Sequence, residues 1–338
     1  MKLDHRIINS PFKYPFTISK GTKTHQPAII VQLEFMGFYG YGEAPAISYY
    51  DIPVEKMEAD LLTKKRFIEQ FTITDPERFW HFLHHLLPAN PFLVCALDMA
   101  GWDLYGKMKR KSLQQLWGTT ELNIPLTDYT IGIDTEVKML AKMKEKPWPI
   151  YKIKVGDAGD MERVATIRKH TDAIIMVDAN AGWSVEEALT KIPQLKALGV
   201  TVIEQPLSKD DWEGMKKLMQ IEDVILIADE TCVKEEDVER CVGYFHGINI
   251  KLTKCSGITP ARRMITVARE KGMKIMLGCM NETTIGSGAL LQLAAGVDYL
   301  DADGPLLLTE DTATGLTYND GILSGSGAPG LGIEQYIF

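Results

Sequence analysis

The chain is poor in cysteine and in concentrated positive charge. Five cysteines in 338 residues, Cys95, Cys232, Cys241, Cys255 and Cys279, are an odd number with no Cys-x-x-Cys pair. That spacing argues against a disulfide framework or a thiolate metal knuckle and predicts reduced, mostly buried thiols. Lys and Arg number 37 against 45 Asp and Glu, a formal net charge of −8, and no basic run occurs. Nucleic acid and anionic membranes both need a concentrated positive surface, so neither is expected as a partner. No apolar stretch is long enough to span a bilayer. The charged opening Met1-Lys2-Leu3-Asp4-His5-Arg6 leads into no apolar segment, which argues against a secretory signal and for a cytoplasmic location. Walker-type and dinucleotide patterns are also missing, so a phosphate or nicotinamide enzyme is not indicated. A small molecule is the expected ligand.

What the chain does have is a change of texture. Up to about residue 120 it reads as α+β. Ile29–Phe35 and Tyr39–Glu43 flank a glycine turn at Gly37 like an antiparallel hairpin, Pro76-Glu77-Arg78 marks a helix start, and Ala96–Lys107 is apolar at helical spacing. Over 121–309 short apolar runs alternate with amphipathic stretches such as Met161–His170, Ser184–Leu198, Asp210–Gln220 and Pro260–Lys271. That alternation predicts a parallel sheet with crossover helices. Counting Ile124–Ile131 first gives eight strands, which close most simply as a barrel with its site at the strands' C-terminal ends. The glycine-rich segment 310–338 breaks the pattern and is expected to return to the N-terminal part.

The strand ends carry the chemistry. Asp178, Glu204 and Asp229 each end an aliphatic run, so on neighbouring strands they would converge. Two carboxylates about 4 Å apart repel by roughly 4 kcal/mol at an effective dielectric near 20, so a cation is expected among them. An all-oxygen set of three, leaving positions for water or substrate, suits Mg2+ better than a calcium cage. Lys152 and Lys154, two apart, share one strand face, and Lys251 ends a strand across the ring. Near a dication a lysine's charged form is disfavoured, and a fall of about three units from roughly 10.4 would make it a base near neutrality. Asp301 and Asp303 repeat the two-residue spacing on the last strand and are free to take a cationic group of a substrate. His81, His84 and His85 read as a helix surface, not a metal cluster. Cys255 and Cys279, without a histidine nearby in sequence, do not read as nucleophiles.

These motifs together resemble the enolase superfamily, its muconate-lactonizing subgroup, and within that the dipeptide epimerases. The segments that carry the likeness are Gly40-Tyr41-Gly42-Glu43-Ala44-Pro45, Lys152-Ile153-Lys154, Asp178-Ala179-Asn180, Glu204-Gln205-Pro206, Asp229-Glu230, Lys251 and Pro329-Gly330-Leu331-Gly332-Ile333. The resemblance implies an α/β fold, a (β/α)7β TIM-like barrel under an α+β capping domain built from both chain ends. It implies Mg2+ on Asp178, Glu204 and Asp229, with Lys154 and Lys251 as acid and base on opposite faces of a carbon α to a carboxylate. Lys152 would help neutralise the enediolate oxygen, Asp301 and Asp303 would receive a dipeptide's α-ammonium, and Glu282 would hydrogen-bond near the site. The loop Phe16–Gln26, with Ile18 and Gly21 toward the substrate, would set side-chain preference. Ala–Glu epimerases place an arginine in that loop, whereas this one holds only Lys20 and Lys23. The expected substrate is therefore an Ala-led dipeptide with an uncharged, hydrophobic second residue. An Ala–Glu epimerase, an N-acylamino-acid racemase, a cycloisomerase and a non-catalytic small-molecule-binding barrel are the alternatives, and a homo-oligomer is compatible with all of them.

Overall fold

The structure, a computed structural model, describes residues 1–121 and 123–337. Three long strands open the chain, β1 (Lys2–Ile18), β2 (Gly21–Phe35) and β3 (Phe38–Pro45), paired antiparallel in that order. The β2–β3 turn consists of Met36 and Gly37, with φ of 52° and 78°, the left-handed pair that matches the twist of a two-residue hairpin. Alternation turns Leu3, Ile29, Val31 and Leu33 inward. There they pack on apolar stripes of α1 (Val54–Glu69), α2 (Pro76–Leu86) and α3 (Pro91–Lys109). The helix start read at Pro76 is capped by Asp75, whose side chain accepts from Glu77 N. Helix α3 lies so close on β3 that a Cβ at Gly40 or Gly42 would fall 2.1 Å or 1.8 Å from the carbonyl oxygen of Ala100 or Ala96. Only glycine fits that contact. A short α4 (Leu113–Trp117) leads out of this cap.

Eight parallel strands follow. They are β4 (Tyr129–Ile131), β5 (Ile150–Lys154), β6 (Ile174–Asp178), β7 (Val202–Glu204), β8 (Ile225–Ala228), β9 (Gly247–Lys251), β10 (Lys274–Gly278) and β11 (Tyr299–Asp301), hydrogen-bonded in sequence order. A parallel bridge between Thr127 and Leu300 joins the last strand to the approach of the first, closing the ring. The expected first strand from Ile124 is shorter: its ladder begins at Tyr129, and Pro125, without an N–H, stands before it. Between the strands run α5 (Glu136–Glu145), α6 (Asp160–Arg168), α7 (Val185–Ala197), α8 (Trp212–Leu218), α9 (Glu235–Cys241), α10 (Leu252–Cys255) with α11 (Ile258–Glu270), and α12 (Thr284–Leu293). Ser184 and Glu187 form a reciprocal capping box at α7, which explains why its start was readable. Inside the ring Met176, Val202, Ile227 and Met276 form an apolar floor. No described helix is long and apolar enough to cross a membrane.

Two buried carboxylates of the cap reach into the barrel. Asp98 on α3 accepts from Thr259 N (2.9 Å) and Thr259 Oγ1 (2.8 Å) at the start of α11. Glu43 on β3 accepts from Thr283 N (2.9 Å), Thr283 Oγ1 (2.7 Å) and Gly286 N (3.1 Å) at the start of α12. Each satisfies helix-terminal N–H groups that would otherwise be orphaned. The chain after residue 310 touches both parts. Gly321 O accepts from Thr127 N at the barrel's base (2.8 Å), Leu331 N donates to Asp103 Oδ1 of α3 (3.0 Å), and Tyr336 stacks on Tyr41 with ring centroids 3.7 Å apart.

Candidate active site

Strand register gathers the polar strand ends. Lys154 pairs with Asp178 and Asp178 with Glu204 across β5, β6 and β7. Glu204 in turn lies opposite Ile227, two residues before Asp229, so all of these point inward at the same mouth. On the far side Gly278 pairs with both Lys251 and Asp301. Just above the apolar floor Lys152, Glu204, Asn249 and Asp301 come from β5, β7, β9 and β11, one layer from alternate strands as a closed eight-stranded barrel dictates.

The charges are tightly paired. Lys152 Nζ lies 2.5 Å from Glu204 Oε2 and 2.7 Å from Asp301 Oδ2, Lys154 Nζ 2.6 Å from Asp178 Oδ2, and Lys251 Nζ 2.8 Å from Asp229 Oδ2. Carboxylate oxygens of Asp178, Glu204 and Asp229, all buried, lie within 4.8 Å of one another. Burial and the charge of Asp178 push Glu204 up to about 7, against the pull of Lys152. Burial opposes ionisation of Asp229 as well, but Lys251 and Lys254 outweigh it and hold its carboxyl well below the ordinary range. Crowded, buried oxygen donors without histidine or thiolate fit Mg2+.

Each site lysine meets a buried carboxylate. Burial works against their charged forms, yet Asp301 and Glu204 hold Lys152 well above the usual lysine value. Asp229 does the same for Lys251, and Asp178 raises Lys154. The protein's own groups therefore push these pKa values up, because each ammonium sits in contact with a buried carboxylate. A dication held by Asp178, Glu204 and Asp229 would supply charge that opposes this.

A second cluster lies beside the first. Asp301 Oδ1 and Asp303 Oδ1 are each 3.8 Å from Cys279 Sγ. Their other oxygens are engaged by Lys152 Nζ (2.7 Å) and Thr130 N (2.6 Å). Lys152 and further lysines outweigh burial and hold Asp301 below the usual carboxylate range, whereas burial and the charge of Asp301 push Asp303 up to about 7. Burial and those aspartates raise the Cys279 thiol well above its ordinary value, and burial pushes Cys255 up to about 12. Such thiols stay protonated, which argues against a nucleophilic role.

Above lies a cleft lined among others by Lys154, Lys251, Asn180, Asp301 and Asp303. The tip of the β1–β2 hairpin covers it, bringing Phe16, Ile18, Gly21 and Lys23 into the lining. Ile133 N donates to Thr17 O (2.9 Å), Ser19 Oγ to Asn180 O (3.2 Å), and Lys20 Nζ is paired with Glu230 Oε1 (2.6 Å). Lys20 is thereby spoken for, while Lys23 faces the cleft, its pKa lowered to about 8 by burial and by the charge of Lys251.

Glu282 does not line this cleft. Its carboxylate turns back to accept from Met280 N (2.5 Å) in its own loop, where burial pushes it up to about 7. The histidines of α2 form no metal cluster among the described residues: His84 stacks on Trp80, and His85 Nδ1 bonds to His81 O. Lys254 and Asn249, both buried, escaped the sequence reading, as did Asp128, buried near Asp301 and Lys152. Lys254 bonds to Asp229 Oδ1 (2.6 Å), and Asn249 Nδ2 donates to Glu204 Oε1 (2.7 Å). Asn249 carried a signal, since it stands two residues before Lys251 and shares its inward face. Lys254 lies past the strand end in α10, where no periodicity predicts an inward turn.

The comparisons with known proteins agree with this geometry. Residues 2–118 match the mandelate racemase / muconate lactonizing enzyme N-terminal domain, and residues 136–335 the enolase C-terminal domain-like family. The L-Ala-D/L-amino acid epimerase of Flavobacterium johnsoniae is 47% identical over 333 residues, 98% of this chain and 99% of that protein. The dipeptide epimerase of Enterococcus faecalis, whose structure holds Mg and L-Leu-L-Tyr, superposes with a TM-score of 0.93 at 30% identity, covering 99% of both chains. The substrate-liganded L-Ala-D/L-Glu epimerase of Bacillus subtilis gives 0.92 at 30% identity, covering 98% of this chain and 99% of that one. The chain belongs to the enolase superfamily, to its muconate-lactonizing subgroup and, within that, to the dipeptide epimerases.

Proposed function

We propose that this protein is a Mg2+-dependent dipeptide epimerase that inverts the α-carbon of a dipeptide's C-terminal residue by 1,1-proton transfer. The observation that carries the reading is the pair Lys154 and Lys251. They stand on β5 and β9, four strands apart in a ring of eight, so they face each other across one cleft above three buried carboxylates. Asp178, Glu204 and Asp229 would hold the ion. Bound Mg2+ supplies positive charge that stabilises negative charge developing on the substrate carboxylate.

One lysine, as the neutral amine, takes the α-proton, and the electron pair of the broken C–H bond moves into the carboxylate. The other, as the ammonium, returns a proton to the opposite face. Lys152, buried below and held cationic by Asp301 and Glu204, adds positive charge under the developing oxyanion. The Oδ1 atoms of Asp301 and Asp303, which meet the thiol of Cys279, would receive the substrate's α-ammonium. A cycloisomerase or N-acylamino-acid racemase has no use for such a buried anionic pair. All five cysteines are free and buried, in keeping with a reducing, cytoplasmic setting.

For the second residue, the apolar lining of Phe16, Ile18, Ile47 and Met280 supports Ala-led dipeptides with an uncharged side chain. Lys23 supports a second reading, in which glutamate is also taken. A dipeptide library incubated with Mg2+ in D2O tests both. Deuterium entering the C-terminal α-position of Ala–Leu and Ala–Val bears out the function, and its absence from every dipeptide refutes it. Strong preference for Ala–Glu, lost in Lys23→Met while Ala–Leu turnover persists, decides for the second reading.

A further inference from the structure

Each carboxylate of the proposed metal site has one oxygen tied to a donor that is not one of the three site lysines. Asp178 Oδ1 accepts from Asn180 N (2.8 Å), Glu204 Oε1 from Asn249 Nδ2 (2.7 Å) and Asp229 Oδ1 from Lys254 Nζ (2.6 Å). The opposite oxygens, Asp178 Oδ2, Glu204 Oε2 and Asp229 Oδ2, are the ones that meet Lys154, Lys152 and Lys251. Asp178 Oδ2 also receives Asn180 Nδ2 at 3.1 Å, so its second oxygen is doubly contacted.

The two side-chain donors are held rigidly. Asn249 is wholly buried in the barrel layer. Lys254, 3% exposed, is fixed by three carbonyl oxygens besides the carboxylate, those of Asp229 (2.5 Å), Cys232 (2.8 Å) and Asn249 (3.2 Å). Its ammonium therefore cannot swing away from Asp229 without leaving buried carbonyls unpaired.

We propose that Asn249 and Lys254 are positioning residues that make Glu204 and Asp229 one-oxygen ligands, and that this sets the site's preference for a small octahedral cation over a larger one. The inference rests on the ligand assignment made under the proposed function. Its physical basis is the difference between the two ions. Mg2+ takes single oxygens in a tight octahedron, whereas Ca2+ takes six to eight oxygens and accepts carboxylates through both. A carboxylate with one oxygen occupied by a fixed N–H donor leaves the ion only the oxygen that now meets a site lysine, Glu204 Oε2 or Asp229 Oδ2, which suits the first cation and denies the second part of its shell. Free both oxygens, and the larger ion gains ligands that the smaller cannot use.

The test is calorimetric titration of the full chain, without substrate, with Mg2+ and separately with Ca2+. Wild type should bind Mg2+ the more tightly. Asn249→Leu, close in volume and lacking the donor, and Lys254→Met, which keeps the chain and removes the ammonium, should each move the ratio of the two Kd values toward Ca2+ by about tenfold. A purely structural role would weaken both ions alike, so an unchanged ratio overturns the proposal, as does a wild type that prefers Ca2+. If Lys254→Met fails to fold, Asn249→Leu decides alone. Because binding is read without turnover, a failure of the epimerase reading in the D2O assay leaves this outcome separately legible. Absence of any Mg2+ binding by wild type would overturn both.

Discussion

Buried lysines that touch buried carboxylates are costly to unpair, and Lys152, Lys154, Lys251 and Lys254 all do so here. Removing Lys154 or Lys251 leaves Asp178 or Asp229 with one neutralising contact fewer and removes a proton carrier from one face of the substrate. Lys154→Ala and Lys251→Ala should each abolish epimerisation, a fall of at least about a thousandfold in kcat/KM, since each direction of inversion uses both groups. One of the two variants should still exchange the α-proton of a single epimer for deuterium, which NMR of each pure epimer in D2O reads directly. Full epimerase activity in either would break the two-base assignment. Asp301→Asn removes one charge from the ammonium receptor and leaves Lys152 with Glu204 alone. KM for Ala–Leu should rise by about tenfold or more, while an N-acylated amino acid should gain nothing comparable. Steady-state kinetics on both substrates separates this from a general loss of the fold.

At the scale of elements, the β1–β2 hairpin decides whether the cleft is covered. Its tip residue Ser19 fits against two glycines: a Cβ at Gly156 or Gly182 would stand 2.7 Å or 3.2 Å from Ser19 Cβ. Gly156 also has φ +131°, open to glycine and strained for other residues. Gly156→Ala should therefore lift the tip, break the Ser19–Asn180 and Lys20–Glu230 contacts, and raise KM for the dipeptide by about tenfold with Mg2+ affinity little changed. Titration calorimetry beside steady-state kinetics checks both halves. The hairpin was legible in the sequence only as a loop, Phe16–Gln26. Strands of 17 and 15 residues rich in charge do not alternate cleanly enough to read as a ribbon, and what holds its tip over the cleft is contact with Ile133, Asn180 and Glu230, far along the chain.

Across the whole molecule, the cap is docked by Glu43 and Asp98, each buried against a barrel helix start. Burial raises Glu43 from 4.5 to about 8 and Asp98 from 3.8 to about 7, against hydrogen bonds from Thr283 and Thr259 that pull the other way. The folded protein thus keeps protons that the unfolded chain has already released. The contribution of these groups is fully present below the unfolded pKa values and is lost as pH rises through the folded ones. Thermal melting from about pH 5 to about pH 8.5 should show the stability of wild type relative to Glu43→Gln falling as pH rises. A pH-independent difference would show that Glu43 stays ionised throughout.

Strand-end chemistry was written locally in the sequence. Side chains alternate with a period of two, so Lys152 with Lys154, Asp301 with Asp303, and the lone carboxylates at Asp178, Glu204 and Asp229 had to face one mouth once their runs were strands of one ring. Glu282 lies past a strand end, where no period fixes direction, and its carboxylate takes the N–H of Met280 in its own loop. Lys254 was silent for a related reason, whereas Asn249 shared the inward face of Lys251 and only its partner, Glu204 across the ring, was beyond the sequence. Pairing, by contrast, is a tertiary quantity: which oxygen meets which ammonium, and whether a lysine is held charged or released, depends on distances that only the closed barrel and its cap establish.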